Sequence, residues 1–551
     1  MKPVVILSAI IAIVVVSSIF YFQNYQLEPE LAPSDFSWEK FSMDAKHSWN
    51  GQELLKTKYS PYQHLPLLYS DVVKESKTWI KYEILDAAIG MYMITGDQQY
   101  LNEASAIADE IEQTMINDRF VLFEVPSDSM LPVTINRVAL NYVAHLTLLD
   151  ESKTELVKKL ADSTMKYSIN NNTNLFYESN FYNGAPGDTL MYFPYGGDVH
   201  LESLLKSYEV TKDKKYLNQV KKSIMAYWDL RDKTTNLIPS KINSSNNEIM
   251  TEFMQQYGSG LFLKILLHYY YLTDDPEILN IIDLYTDSLL KYTWNGKTWN
   301  YRTFYNGTVL SPYVEANFPT LDDAFFLIYD LDKTKYQKLY VTAKTDYDNT
   351  FQSDLIITNN GLVAHSVKND GSKDSTQSRL SYAFTSIQNP AYILFKHTQD
   401  QSYLDKVEYF YNNATKYHKQ EYGFTNGIDA YTLEEDDSHI ETHVLMPSAI
   451  ANKLLLTILP SPDVDVTWTV IGNHKLPVPF FTTFYSTGYF NAVHFDLTNK
   501  EITLDYVEGK GTITFENNIK NVLLDGKKYE NFEENVLRTV SGEHSYKVRL
   551  E

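Results

Sequence analysis

The chain contains no cysteine. This absence excludes disulfide bonds, cysteine-ligated zinc and thiol nucleophiles. Stability therefore has to come from packing, for which the composition of 44% hydrophobic and 14% aromatic residues provides enough material. With 43 Tyr and 27 Phe among 551 residues, many rings also remain for the lining of a ligand groove.

Positive charge is scarce as well. The chain has 48 Lys and Arg against 70 Asp and Glu, which gives a formal net charge of −22. Binding to phosphate needs a basic surface, so this balance excludes nucleic acid as an expected partner. Only seven of the positive residues are Arg, and each of them is therefore informative.

Long apolar runs are rare, and the main one covers residues 3–22. At about 1.5 Å per residue it is long enough to cross a hydrocarbon layer of about 30 Å. Lys2 precedes the run and acidic residues follow it, which predicts a cytoplasmic N-terminus with the rest of the chain outside. We expect a single-pass signal anchor at residues 1–26, a linker at 27–40 and a location at the cell membrane.

A short phrase recurs along the chain. Four copies read T-x-D-x-x-aromatic/aliphatic-Leu and begin at Thr95, Thr211, Thr273 and Thr398. The spacing fits a period of about 60 residues when two drifted copies are included, Asp150-Glu151-Ser152 and Asp330-Leu331-Asp332. In each copy an Asp is placed to cap a helix N-terminus. Six copies at regular spacing predict a helical repeat architecture.

Two kinds of helix flank the phrase. Those after it, such as residues 217–230, are amphipathic and charged, whereas those before it, such as 261–272, are apolar around most of their circumference. This alternation predicts an outer and an inner ring of helices. The connections from outer to inner helices are long and rich in Asn, Gly and aromatic residues, whereas the return turns are only a few residues long. In an alternating ring this asymmetry places every long loop at one end, and long loops on a rigid scaffold are where functional residues usually lie.

The predicted fold is mainly α-helical. An (α/α)6 toroid is expected over residues 41–458, or a ring of seven hairpins if the apolar helix at about 440–458 adds a seventh inner element. After Pro460 and Pro462 the pattern changes to short alternating strands. They predict a small C-terminal β-sandwich domain over residues 463–551.

Repeats of about 60 residues that carry TGD-x-x-YL, with long loops on one face and a small β domain behind, resemble the six-hairpin glycosidase-like superfamily of α/α-toroid proteins. The resemblance covers residues 41–458. It implies an architecture more strongly than a reaction, because the superfamily includes glycoside hydrolases, unsaturated uronyl hydrolases, polysaccharide lyases and uronyl C5-epimerases. The reaction therefore has to be argued from residues.

Hydrolysis of a glycosidic bond usually needs two carboxyl groups, one to protonate the leaving oxygen and one to activate water or attack carbon. Asp198, which follows a Gly-Gly pair and opens an inner helix, is the main candidate for the general acid. The candidates for base or nucleophile are Asp322, Asp323 and Glu252. Each of these acids also fits a structural role at the first turn of a helix.

Arginines and aromatic residues on the same loops indicate a carbohydrate ligand. Arg137, Arg302 and Arg379 could hold a carboxylate in two hydrogen bonds, which suits a uronic acid; internal pairing is the alternative. Sugars also present C–H faces that stack on rings. The further predicted substrate-binding residues are Tyr192, Tyr195, His200, Tyr257, Trp299 and Tyr301.

Neither a metal nor a cofactor is predicted. The acidic segment 434–443 lacks the glycine and spacing of an EF-hand, and its H-x-E-x-H order differs from the H-E-x-x-H of a zinc helix.

The leading hypothesis is a membrane-anchored, extracytoplasmic carbohydrate-active enzyme, a glycoside hydrolase acting on surface or environmental glycans. The alternatives are a uronyl C5-epimerase or polysaccharide lyase, in which Tyr192 or Tyr257 would abstract the C5 proton, and a non-catalytic toroid that binds a glycan or an envelope protein.

Overall fold

A computed structural model describes the greater part of the chain. The described residues are 38–50, 78–95, 97–115, 130–147, 150–177, 179–181, 190–192, 197–316, 319–380, 388–398, 400, 402–421, 423–425, 427–434, 474–478, 482–486, 489–496, 501–508, 512–515 and 517–551. The predicted anchor, most of the predicted linker and the predicted helix at 440–458 lie outside them. None of the described helices combines the length and the hydropathy of a membrane span.

Thirteen α-helices are described. They are α1 (Trp38–Asn50), α2 (Thr78–Thr95), α3 (Gln98–Thr114), α4 (Val133–Thr147), α5 (Thr154–Tyr167), α6 (Gly197–Thr211), α7 (Lys214–Asp229), α8 (Gln256–Thr273), α9 (Pro276–Tyr292), α10 (Pro319–Leu331), α11 (Gln337–Tyr347), α12 (Gln388–Thr398) and α13 (Ser402–Tyr417). Outer helices carry odd numbers and inner helices carry even numbers.

Four of the six predicted Asp caps are confirmed, whereas α5 and α11 begin after Lys153 and Tyr336, which make no capping hydrogen bond through their side chains. In each copy of the phrase a side-chain oxygen of the Asp accepts a hydrogen bond of 3.0–3.1 Å from the backbone N–H two residues later. The caps of α3, α7, α9 and α13 are Asp97, Asp213, Asp275 and Asp400, whereas Asp150 and Asp332 make this bond in the turns that precede α5 and α11. The repeat predicted from the sequence is therefore a repeat of helix starts.

The other positions of the phrase form the turn before the cap. The hydroxyl groups of Thr211 and Thr273 donate to backbone carbonyls four residues earlier, in the last turn of the inner helix. Between the Thr and the Asp, Lys212 and Asp274 have φ values of 57° and 51°, so this position reverses the chain in the left-handed conformation. One three-residue turn thus ends an inner helix and begins an outer one.

Neighbouring outer helices are joined by side chains at these helix starts. The hydroxyl of Tyr216 donates to Asp162 at 2.9 Å, and that of Tyr336 donates to Asp283 at 2.6 Å. The hydroxyl of Tyr403 in α13 donates likewise to Asp348, which directly follows α11, at 2.7 Å. Ion pairs of 2.6 Å connect the remaining steps, Lys153 with Asp109 and Lys221 with Asp275.

Helix α1 closes the outer ring. Trp49 packs edge-on against Tyr100 of α3 at 5.3 Å between ring centroids. On the other side of α1, Asp44 accepts a hydrogen bond of 2.8 Å from Tyr411 of α13. The described chain therefore has seven outer helices in a closed circle, and α1 is an outer element that the sequence pattern did not identify.

The inner helices follow one another around the inside of this circle. Helix α2 packs on α4, α4 on α6, α6 on α8, α8 on α10, and α10 on α12. Their apolar side chains form the core, as predicted from their composition. Examples with no exposed surface are Leu85, Leu140, Leu204, Leu266 and Phe325.

Short antiparallel strands link consecutive hairpins at the end of the ring that carries the long connections, called the loop end here. Before residue 434 the strands are β1 (Met130–Pro132), β2 (Ser179–Phe181), β3 (Leu190–Tyr192), β4 (Lys241–Asn243), β5 (Glu248–Ile249), β6 (Phe253–Gln255), β7 (Arg302–Phe304), β8 (Val309–Ser311), β9 (Tyr313–Glu315), β10 (Ser366–Lys368), β11 (Lys373–Ser375), β12 (Gln377–Arg379) and β13 (Gly427–Asp429). Five times, the strand before an inner helix pairs with a strand from the next long connection: β1 with β2, β3 with β4, β6 with β7, β9 with β10, and β12 with β13.

The C-terminal part is all β, as predicted. Its strands are β14 (His474–Val478), β15 (Thr482–Ser486), β16 (Tyr489–Asp496), β17 (Glu501–Glu508), β18 (Thr512–Phe515), β19 (Ile519–Leu524), β20 (Lys527–Tyr529), β21 (Phe532–Glu533), β22 (Val536–Arg538) and β23 (Gly542–Leu550). They form two five-stranded antiparallel sheets, in the orders β14-β15-β18-β22-β21 and β16-β17-β23-β19-β20. Both sheets bury apolar residues, including Ile513 and Leu537 of the first and Leu504 and Val548 of the second.

Candidate functional site

Glu315 and His365 form a carboxylate–imidazole pair at the loop end. Nε2 of His365 lies 3.0 Å from Oε1 of Glu315, and the side chains are 22% and 8% exposed, respectively. Glu315 ends β9 and His365 directly precedes β10, and the amide of Ala316 donates to the carbonyl of His365 at 2.8 Å. A pair held in this way is shielded but reachable, and it can give or take a proton.

Two tyrosines lie beside this pair. Tyr313 shares a face of β9 with Glu315 because side chains alternate along a strand. Its ring lies 4.8 Å from that of Tyr301, with 30° between the planes. Burial raises the pKa of Tyr313, although nearby Arg302 opposes the shift, so its hydroxyl is neutral at pH 7 and can hydrogen-bond to a ligand.

Arg302 completes the arrangement. Its guanidinium carbon lies 4.8 Å from the ring centroid of Tyr301 and 5.5 Å from that of Phe253. Its Nε is buried and has no hydrogen-bond partner among the described residues. Stacking on the two rings therefore fixes the position of this cation. Tyr301, Arg302, Tyr313, Glu315 and His365 are called the loop-end cluster below.

A second group of polar side chains lies on the inner helices, in a region that is otherwise apolar. On α6, Glu202, Lys206 and Glu209 follow one another at helical spacing. Nζ of Lys206 lies 3.2 Å from Oε1 of Glu202 and 2.7 Å from Oδ1 of Asn141 on α4. Nearly all of the Lys206 side chain is buried, so these contacts replace its water.

The same group continues across α8 to α10. Nε2 of His268 lies 3.2 Å from Oε1 of Glu209, and Nζ of Lys264 lies 2.9 Å from Oδ2 of Asp323. The seven residues Asn141, Glu202, Lys206, Glu209, Lys264, His268 and Asp323 are called the inner-ring network. They connect four consecutive inner helices through alternating charges.

Helix α8 shows which way this network faces. Tyr257, Leu261, Lys264 and His268 are partly exposed, whereas the described residues between them are buried. Their spacing of four, three and four residues places them on one face of the helix. The other faces of α8 pack on α6, α9 and α10, so the accessible face looks into the interior of the ring.

The structure corrects the prediction for Trp299 and Asp322. Both side chains have no exposed surface, so Trp299 presents no ring face to a sugar and Asp322 does not reach a substrate. Nε1 of Trp299 donates to Oδ1 of Asp322 at 3.0 Å, and its backbone N–H donates to Asp346 at 2.9 Å. These residues hold the long connection against α10 and α11.

The remaining predicted site residues lie in different parts of the structure. Tyr301 and Arg302 belong to the loop-end cluster, but Tyr301 is only 7% exposed and its ring is covered by Arg302 and Tyr313, so it supports these side chains. Asp323 is only 5% exposed and pairs with Lys264 in the inner-ring network, so it does not face a substrate as predicted. Tyr257 is on the accessible face of α8, Glu252 is exposed beside β6, and Arg379 contacts Gln377 in β12 at 3.1 Å. Tyr195 and the side chains of Arg137, Tyr192, Asp198 and His200 lie outside the described residues.

Sequence reasoning missed Glu315, His365 and Glu202. The signal for Glu202 was a Glu and a Lys four residues apart inside an apolar helix, which is costly unless both are paired. For Glu315 and His365 the pairing of β9 with β10 was needed, and neither three-residue strand stands out in the sequence. Among the described residues there is no group of three or more His, Asp or Glu arranged to hold a metal ion.

Solved structures show the same ring of paired helices. The chain aligns with an α-1,2-mannosidase from Trichoderma reesei at a TM-score of 0.55 and 14% identity, over 77% of this chain and 94% of that one. The chain has an α/α-toroid fold. The resemblance inferred from the sequence is thus confirmed for the fold.

Two further toroids align over a smaller part. The cellobiose 2-epimerase of Bacillus thermoamylovorans gives a TM-score of 0.50 at 14% identity, over 65% of this chain and 100% of that one. A sugar epimerase from a ruminal bacterium gives 0.50 at 10% identity, over 63% and 95%. No family model and no curated protein matches the sequence. At these identities the likeness concerns the toroid fold.

Proposed function

We propose that this toroid is a carbohydrate-active enzyme that binds its sugar at the loop end of the ring. The observation that carries the proposal is the Glu315–His365 pair, 3.0 Å apart, next to two tyrosine rings and an arginine. Rings, a hydrogen-bonding guanidinium and a proton-transferring pair are the groups that a sugar-processing site needs. The fold shared with a mannosidase and two sugar epimerases supports the proposal.

The leading reaction is glycoside hydrolysis. It needs a proton donor for the leaving oxygen. A proton held between Nε2 of His365 and Oε1 of Glu315 would serve as this donor. Asp198 stays a prediction for the same role, because its side chain is outside the described residues.

A specific observation favours a second reaction, sugar epimerisation. An imidazole next to a carboxylate is suited to removing a proton from a carbon beside a carbonyl group and returning it to the other face. Incubation in D2O separates the two reactions, because epimerisation places deuterium on carbon without releasing a new reducing end.

The finer proposals concern substrate and location. The positive charge of Arg302, held by stacking on Tyr301 and Phe253, supports a substrate that carries a carboxylate, such as a uronate. A preference for neutral over uronate-containing oligosaccharides of equal length would contradict this. The apolar run at residues 3–22 supports a membrane-anchored, extracytoplasmic enzyme, and recovery of the full chain in the soluble fraction of its cells would contradict that.

The central test is Glu315→Gln, assayed for release of reducing ends and for deuterium incorporation on a panel of neutral and uronate oligosaccharides. We expect kcat to fall about 10²–10⁴-fold, because the amide cannot exchange the proton. Asp525→Asn is the matched control, since Asp525 also pairs with a histidine, His544, at 2.8 Å in the C-terminal sheets.

Two outcomes would count against the proposal. Equal turnover by Glu315→Gln and wild type would remove Glu315 from the site. Binding of glycans by the wild type with no turnover of any panel member would support the non-catalytic toroid instead.

A further inference from the structure

Among the acids of the inner-ring network, Glu202 is the accessible one. A quarter of its side chain is exposed, compared with 2% for Glu209 and 7% for Asp323. The residues next to it on α6, Leu201 and Ser203, have no exposed surface. The exposed part of Glu202 therefore faces the ring interior, on the same side as the accessible face of α8.

The charges around Glu202 favour its ionised form. Burial alone would raise the pKa of Glu202, but Lys206, His268 and Lys264 outweigh burial and hold this pKa below its ordinary value. The two other acids near these cations, Glu209 and Asp323, have partners of their own in His268 and Lys264. Glu202 is thus a carboxylate that is kept ready to accept a proton.

Glu202 also lies close to the loop end of the ring. It is the sixth residue of α6, which places it about 8 Å from the start of that helix at 1.5 Å per residue. The helix starts at the loop end, and Asp198 precedes Glu202 by one turn. Glu202 therefore lies nearer the loop end than Glu209, which is about two turns further along the same helix.

We propose that Glu202 is the catalytic base of the reaction, which rests on the proposed glycoside hydrolase function. Its carboxylate removes a proton from water while the water oxygen forms a bond to the anomeric carbon. The bond from this carbon to the glycosidic oxygen breaks, its electron pair stays on that oxygen, and the oxygen takes a proton from the Glu315–His365 pair. The proton on Glu202 then returns to the pair through solvent, so that one glycoside and one water give a hemiacetal and an alcohol.

Two variants test this role. Glu202→Gln should lower kcat by about 10²–10⁴-fold with little change in KM, while its thermal midpoint stays close to that of the wild type. Lys264→Met removes one cation beside Glu202, so the acidic limb of the pH profile of kcat/KM should move upward by about one unit. Lys264→Arg keeps the positive charge and should therefore keep the acidic limb at its wild-type pH.

The controls separate this inference from the proposed function. Glu155→Gln alters a Glu–Lys pair on the outer helix α5, 3.9 Å apart, and should leave both kcat and the pH profile unchanged. If Glu315→Gln is inactive but Glu202→Gln is not, the role of Glu202 is wrong and the enzyme assignment stands. An unmoved acidic limb in Lys264→Met also overturns the role, even if Glu202→Gln fails to fold. Wild type without turnover overturns the proposed function itself.

Discussion

Asp322 and Asp346 are two carboxyl groups with no exposed surface that both accept hydrogen bonds from Trp299 in the core. Burial, followed by the charge of Asp346, raises the pKa of Asp322 well above its ordinary value, and burial raises the pKa of Asp346 to about 7. Trp299 donates a hydrogen bond to each group, from its backbone N–H to Asp346 and from its indole Nε1 to Asp322. Because Trp299 lies two and three residues before Tyr301 and Arg302, the protonation of this pair supports the connection that carries part of the loop-end cluster.

The pair makes stability depend on pH. A carboxyl group whose pKa is raised in the folded state contributes stability that is fully present below the unfolded value of 3.8 and is lost as the pH rises through about 7. We predict that Asp322→Asn flattens this loss, because an amide can donate to ionised Asp346 and still accept from Trp299. At pH 8 the variant should be more stable than wild type by on the order of a few kcal/mol.

Thermal unfolding between pH 4 and 8 measures this effect. Asp370→Asn, at an exposed turn, is the control and should keep the wild-type slope over that range. A parallel slope for Asp322→Asn and wild type would show that these two carboxyl groups do not set the pH dependence.

At the scale of elements, the T-x-D phrase explains why so much of the architecture could be predicted. The Asp cap and the apolar or amphipathic character of each helix are local properties, so the order of outer and inner helices follows from the sequence. The strands at the loop end could not be predicted in the same way. They are two or three residues long and exist because consecutive hairpins pair, as Ser366 does with Glu315.

Asp275 tests the contribution of a cap. Its side chain accepts from the amide of Glu277 at 3.0 Å and pairs with Lys221 at 2.6 Å. We predict that Asp275→Ala lowers the free energy of unfolding by about 1 kcal/mol or more, since it removes both contacts. Asp275→Asn should retain most of the stability because an amide oxygen also caps.

Chemical denaturation of the two variants distinguishes capping from charge pairing. Equal destabilisation by Ala and Asn would assign the effect to the ion pair with Lys221.

At the scale of the whole molecule, the ring is held shut by contacts between its first and last described outer helices. One of these contacts is the hydrogen bond from Tyr411 to Asp44. In addition, Nε2 of His47 lies 3.0 Å from the carbonyl oxygen of Gln420, and the His47 ring packs edge-on against Phe424. Neither the number of outer helices nor the role of α1 could be read from the sequence, because α1 lacks the T-x-D phrase.

We predict that Tyr411→Phe loosens α1 selectively. Loss of a hydrogen bond to a carboxylate, worth about 1.5 kcal/mol, should increase amide hydrogen exchange in α1 about tenfold. Tyr216→Phe removes the corresponding hydrogen bond between α5 and α7 and should leave hydrogen exchange in α1 unchanged. Equal exchange of α1 in Tyr411→Phe and wild type would show that this hydrogen bond does not close the ring.

The closing contact also has a consequence during synthesis. Asp44 and Tyr411 are separated by 367 residues, so at roughly 5–20 residues per second they can first meet roughly 20–70 s after α1 has been translated. Throughout that interval the side of α1 that carries Asp44 and His47 lacks its final neighbours, Tyr411 and Phe424. We expect the nascent chain to recruit a holding chaperone at this segment until the last hairpin leaves the ribosome.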